Sequence, residues 1–227
     1  MKRVTCIALF ILTFLITACG LNMVGITREL YPIQIGGRYG YINYDGKVII
    51  TPKYQYCSRF FEGVSIVRDL NGISNIMNLK GECIPIGKDI IVGNFHEGLA
   101  KVSARERSGY INKKGIVVIN KPNAELDNFS EGFAVVAEYE VDKNTNKYKK
   151  IFYYINKSGK NIFNKKFEGA YPFSEGYAVT VQNGQFVIID KQGHNYLTTD
   201  YTYIGPFCNG LALVASDNQK ERRYGYI

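Results

Sequence analysis

A doubly marked internal repeat sets the limits on how this chain can fold. The segment Phe-x-Glu-Gly occurs at 60–63, 95–98, 129–132 and 173–176, and once altered as Phe207-Cys208-Asn209-Gly210. Its glycines, Gly63, Gly98, Gly132, Gly176 and Gly210, are 35, 34, 44 and 34 residues apart. A second marker, apolar-Asn/Asp-x-x-Gly, ends at Gly46, Gly81, Gly115, Gly159 and Gly193, with the same four spacings. Two independent markers sharing one irregular spacing define a tandem array of supersecondary units.

Each unit reads as three short strands. The first is Gly-Tyr-Ile-Asn in its clearest copies, at 40–43 and 109–112. The Asn-x-x-Gly that ends it supplies a turn whose glycine can take positive φ. An apolar second strand follows directly, such as Lys47-Val48-Ile49-Ile50. A looser stretch containing Pro52, Pro85, Pro122, Pro172 or Pro206 then leads to Glu-Gly and a third strand, such as Leu99-Ala100-Lys101-Val102. The expected fold is all-β, a tandem array of five three-stranded repeats of about 34 residues, open and solenoid-like or closed and propeller-like. Tyr224-Gly225-Tyr226-Ile227 opens a sixth unit, so the repeat domain is placed at 31–227.

These markers resemble the WG repeat family, whose unit carries Trp-Gly, an aromatic-aliphatic pair, Asn or Asp, a turn Gly, Pro and later Phe-x-Glu-Gly. The chain has no Trp; Tyr39, Ser108, Phe152, Phe186 and Tyr224 stand in its place. Asn75, Tyr153 and Val187 replace the following Gly in three units. The resemblance implies an architecture and carries no activity with it.

The first residues carry a different signal. Met1-Lys2-Arg3 is a positive segment, 7–16 is nearly unbroken in its apolar character, and the whole is too short for a comfortable membrane span. Ile16-Thr17-Ala18-Cys19-Gly20 resembles the lipobox of bacterial lipoproteins. That resemblance implies a signal peptide at 1–18, acylation of Cys19, and a linker at 19–30 that ties the array to a membrane. Gly at position 20 implies the outer membrane of a two-membrane bacterium, or the outer face of the cell membrane in a one-membrane species. Several acyl chains on one residue anchor stably where one chain does not.

The formal charge is +8, and removing Lys2 and Arg3 leaves +6, spread among acidic residues rather than gathered into a basic run. That excludes an evident nucleic-acid reader. Cys57, Cys83 and Cys208, left once Cys6 and Cys19 are accounted for, have neither zinc nor redox spacing. By repeat alignment Cys57 and Cys83 are expected to be small core residues. His96 and His194 fall at variable turn positions. Glu62, Glu97, Glu131 and Glu175 form a row with one carboxylate per unit. A cation- or partner-binding ladder and a set of backbone caps are the two readings. Carboxylate pairs that cleave glycosides sit on the order of 5–10 Å apart, which one carboxylate per repeat does not provide. No catalytic residue, metal site or cofactor is expected.

Length changes point to a binding face. The third interval holds ten extra residues within 138–150, acidic on one arm and rich in lysine on the other. A four-residue extension falls within 216–223. Insertions in repeat proteins often gather on one binding face, making Glu140, Lys143, Lys147, Tyr148, Lys149, Lys150, Lys220 and Arg222 the candidate contact residues. Exposed aromatics are a second candidate surface; filling each unit's core is the other use for them. The expected function is a non-catalytic, membrane-anchored module that binds a protein, peptide or glycan at the bacterial envelope. The alternatives are a passive spacer and a glycan-processing enzyme.

Overall fold

The computed structural model describes residues 29–105, 107–143, 146–218 and 221–227; residues 1–18, expected to form a signal peptide, and Cys19 lie outside them. Among these residues the chain is all-β and forms six antiparallel sheets, each a meander whose strands follow chain order. In a complete meander the strands are named a to d.

Sheet 1 holds b, c and d: β1 (Tyr31–Ile35), β2 (Arg38–Ile42) and β3 (Val48–Tyr54). Sheet 2 holds all four: β4 (Tyr56–Cys57), β5 (Val64–Arg68), β6 (Ile73–Asn78) and β7 (Cys83–Lys88). Sheet 3 has β8 (Ile91–His96), β9 (Leu99–Ala104), β10 (Arg107–Asn112) and β11 (Val117–Asn120). Sheet 4 has β12 (Glu125–Leu126), β13 (Phe133–Val141) and β14 (Tyr148–Asn156), with single bridges at Asn161 and Phe167 in place of d. Sheet 5 has β15 (Gly169–Ala170), β16 (Tyr177–Gln182), β17 (Gln185–Asp190) and β18 (Asn195–Thr199). Sheet 6 has β19 (Tyr203–Cys208), β20 (Leu211–Asn218) and β21 (Glu221–Tyr226).

The sequence repeat is therefore c–d–a–b and straddles two sheets. The three strands read from sequence are c, d and b. Strand a, in the looser stretch before Glu-Gly, is the addition. Sheets pack face to face as propeller blades do, and the array stays open.

Five clusters of buried side chains fill the five spaces between successive sheets. Alternate residues of a strand therefore enter different cores. In β13, Ala134 and Val136 face sheet 3, while Val135 faces sheet 5. Tyr153 and Ile155 of β14 follow the first pattern and Tyr154 the second. Burial on both faces is why b and c read as continuous apolar runs rather than alternating ones.

One tyrosine position links sheets by hydrogen bonds. Tyr41, Tyr110 and Tyr154 are fully buried. Their hydroxyls donate to the carbonyls of Ser58 (2.8 Å), Asp127 (2.6 Å) and Tyr171 (2.7 Å), each seventeen residues on. Burial pushes all three phenols far above their ordinary pKa, so they remain donors. Strand a of the receiving sheet is then only two residues long, as in β4, β12 and β15. Where Ile76 and Ile188 replace the tyrosine, the residues seventeen on are Gly93 and Gly205. There β8 and β19 run six residues, with a register shift at the glycine. A carbonyl claimed by a tyrosine is lost to the strand ladder, so this one side chain decides how far strand a extends.

Candidate functional site

Both kinds of turn lie at one end of the meanders, because a–b and c–d connections share an end and b–c hairpins take the other. The Glu-Gly turns have positive φ at both residues: 50° and 82° at Glu62-Gly63, 53° and 92° at Glu131-Gly132. This pattern fits a two-residue type I′ turn. The turn Asn-x-x-Gly is held by its own side chain, as when Asn112 Oδ1 accepts the N–H groups of Lys114 (3.0 Å) and Ile116 (3.1 Å). All ten marker glycines, Gly46, Gly63, Gly81, Gly98, Gly115, Gly132, Gly159, Gly176, Gly193 and Gly210, have φ from 76° to 92°.

The glutamate row is consumed in joining sheets. Glu62 accepts the Gly98 N–H (2.9 Å), Glu97 that of Gly132 (3.0 Å), Glu131 that of Gly176 (2.9 Å), and Glu175 those of Asn209 and Gly210 (2.7 Å each). Lys113, Lys157 and Lys191, on the adjacent c–d turns, pair with Glu62, Glu97 and Glu131 at 3.1 Å. Partial burial raises the pKa of Glu62 and Glu131, but the lysine and N–H hydrogen bonds outweigh it and hold both below the usual carboxylate range. The capping reading holds, with the capped N–H in the next sheet.

Cys57 is buried, and its thiol is pushed up to about 11 by burial. Cys83 is exposed, contrary to its expected core position, because it opens an outer d strand; its sulfur lies 3.6 Å from the Tyr54 hydroxyl. His194 contacts Asp190 (3.2 Å) and His96 rests against Phe61. Among the described residues no group of three His, Cys, Asp or Glu is placed to hold a metal.

The opposite end carries the lengthened hairpins. In β13–β14, Tyr139 faces Lys150 and Val141 faces Tyr148, so these four share one side; Glu140 and Lys149 share the other. Tyr139, Val141 and Tyr148 are 56%, 50% and 78% exposed, an unusual aromatic-aliphatic patch for a hairpin in solvent. The charges do not simply pair across the arms: Lys150 bonds Glu125 of β12 (2.7 Å) and Glu140 bonds Lys166. Lys143 and Lys147 flank the tip. In β20–β21, Arg222 meets Asp217 (3.6 Å) and lies over Tyr224; Lys220 is outside the described residues. The two hairpins lie at the same end of sheets 4 and 6.

Among the clefts that open between sheets, two are mainly apolar. One, of about 380 Å³ between sheets 5 and 6, is walled by Tyr171, Pro172, Phe173, Tyr177, Tyr203 and Phe207. The other, of about 270 Å³ between sheets 3 and 4, contains Lys101, Ser103, Ser108 and Leu126. The sequence reading missed Lys101, although aligning third strands sets it against Ile66, Val135, Val179 and Leu213.

No curated protein matches this chain. Among solved structures, the computationally designed Ika8 protein is similar at TM-score 0.47 and 10% identity, covering 87% of this chain and 67% of that one. BamB from Moraxella catarrhalis gives 0.41 and 10%, covering 84% and 65%. Apo AztD from Citrobacter koseri gives 0.43 and 12%, covering 87% and 70%. The chain spans about two thirds of the length of the first two. Residues 39–72 and 154–186, each close to one c–d–a–b unit, match the WG containing repeat family. Within the array, the two units at 39–72 and 154–186 are thus WG containing repeats by this match.

Proposed function

We propose that this chain is a non-catalytic interaction module, lipid-anchored through Cys19 at the bacterial envelope, which binds a protein, peptide or glycan partner with its b–c hairpin end. A propeller-like repeat fold suits an interaction scaffold. The observation that carries the reading is the β13–β14 hairpin, which holds Tyr139, Val141 and Tyr148 in solvent on a strand pair nine residues long. Exposed aromatic and aliphatic side chains gathered at one spot mark interaction sites more often than scattered ones do. The linker at 20–30 spans at most about 36–40 Å, so the array works close to its membrane.

The test is crosslinking of the lipidated protein in its own membrane, with mass-spectrometric mapping of contacts. Crosslinks gather at Lys143, Lys147 and Lys149 rather than at Lys113, Lys157 and Lys191 on the opposite turns. Shortening 138–150 to ordinary repeat length abolishes capture and leaves the fold intact, because loop length is cheap in free energy. Capture unchanged by the shortening refutes the hairpin face. For the anchor, Cys19→Ala removes incorporation of an acyl analogue and moves the chain to the soluble fraction; unchanged labelling refutes it.

A further inference from the structure

The cleft between sheets 3 and 4 is a place where the repeat departs from its own rule twice. Tyr39, Phe152 and Phe186 occupy one c-strand position in sheets 1, 4 and 5, each partly buried and packed against the core toward the next sheet. Sheet 3 has Ser108 there. Sheet 2 also has a serine, but Ser74 is buried and donates to the Ile90 carbonyl at 2.6 Å. Beside Ser108, at a b-strand position otherwise filled by Ile66, Val135, Val179 and Leu213, stands Lys101. An aromatic ring has been removed and a cation placed next to the gap.

The local geometry keeps the lysine in place. A Cβ on Gly93 would lie 2.9 Å from Lys101 Cγ, so glycine makes room for the lysine stem. The ammonium's hydrogen-bond partner is the Leu126 carbonyl, at a long 3.3 Å. Among the described residues it has no carboxylate within ion-pair distance. Glu125, on the cleft wall, is paired with Lys150 at 2.7 Å. Ile91, Val102 and Leu126 give the cleft apolar walls, and Ser103 and Ser108 add hydroxyls. A cavity of roughly 150 Å³ with apolar walls accepts benzene, so 270 Å³ holds a ring with a substituent.

We propose that this cleft binds an aromatic carboxylate, with the ring in the slot left by the missing aromatic and the carboxylate on Lys101. One lysine and two hydroxyls match a singly charged carboxylate. The site is separate from the β13–β14 hairpin patch, and a shortening that keeps Lys150 on Glu125 leaves it intact.

The test is calorimetric titration of the full chain with N-acetyl-phenylalanine, with its amide, and with inorganic phosphate. Wild type binds the acid saturably and the amide on the order of tenfold more weakly, and phosphate does not compete. Ser108→Phe and Lys101→Val put back residue types the other sheets use, so each weakens binding at least about tenfold without lowering the melting temperature. If Ser108→Phe overpacks and melts early, Lys101→Val still decides the matter. No saturable binding to wild type, equal binding of acid and amide, displacement by phosphate, or unchanged binding in Lys101→Val each overturns the proposal.

Discussion

Replacing Glu131 by Asn separates two opposing energies at the turn that joins sheets 4 and 5. Glu131 sits at φ 53°, a left-handed conformation that costs ordinary L residues about 1–2 kcal/mol and that asparagine visits readily. Asn183, at φ 52° in the hairpin before Gly184, shows what the chain uses where no neighbouring sheet must be reached. The glutamate's gain is its reach, to the Gly176 N–H at 2.9 Å and Lys191 at 3.1 Å. A hydrogen bond to a charged group contributes about 1.5–3 kcal/mol. The ion pair, with side chains 27% and 42% exposed, adds roughly 0.2–1 kcal/mol. Subtracting relief of strain leaves Glu131→Asn destabilising by about 1–2 kcal/mol. Because repeat arrays open locally, the direct readout is amide hydrogen exchange at Gly176, where protection falls about tenfold. The control, Asn183→Glu, adds strain and no partner, and costs up to about 1 kcal/mol. Unchanged or increased Gly176 protection in Glu131→Asn refutes the staple.

Tyr110→Phe removes the donor to the half-buried Asp127 carbonyl and costs about 1–3 kcal/mol in urea denaturation; a neutral result contradicts the hydroxyl's role in joining sheets 3 and 4. Acid weakens the same array: Glu62 and Glu131 have folded pKa values below their unfolded ones, so their stabilisation is complete above the unfolded value and is lost as pH falls through the folded one. Melting temperature against pH therefore drops on the acid side, and drops less in a Glu62→Gln, Glu131→Gln double variant. Valine at Gly46, Gly115 and Gly159 costs on the order of 1–3 kcal/mol through positive φ alone. The cost rises in that order, because the new Cβ meets open space at Gly46, Ile84 at 3.5 Å, and Ile119 at 3.1 Å; a flat series by thermal melt contradicts the turn geometry.

The strands that could be read from sequence are those whose register is announced by a neighbouring turn. Strand c ends on Asn-x-x-Gly and strand b begins on Glu-Gly, and both turns have a backbone reason for their residues. Strand a was hidden because in sheets 2, 4 and 5 only two residues pair before a tyrosine from the previous sheet takes the next carbonyl. That bond joins residues seventeen apart in different sheets, and no local pattern announces it. The lysine slot at 101 was legible in principle, since a charged residue among Ile66, Val135, Val179 and Leu213 breaks the alignment. Ser108 was noted only as a missing tryptophan. That its absence opens a cleft follows from the packing of Phe152 and Phe186 in other sheets.

The c–d turns show that the staples belong together. The residue after the turn Asn or Asp is Lys113, Lys157 and Lys191 in sheets 3, 4 and 5, each of which follows a sheet with a glutamate turn. In sheet 2 it is Leu79, and the described part of sheet 1 begins at strand b, with no a–b glutamate turn for a lysine to meet. Lysine therefore occurs where the previous sheet supplies its partner, as expected if the residues act between sheets rather than within them. This fixes one end of the array with a repeating row of charged hydrogen bonds between sheets, a row that the b–c hairpins at the other end do not repeat among the described residues. Loops free of that constraint tolerate length change, and the ten-residue and four-residue extensions fall among them. In the binding role proposed above, a partner meets the length-variable hairpins while the stapled sheets beneath stay fixed.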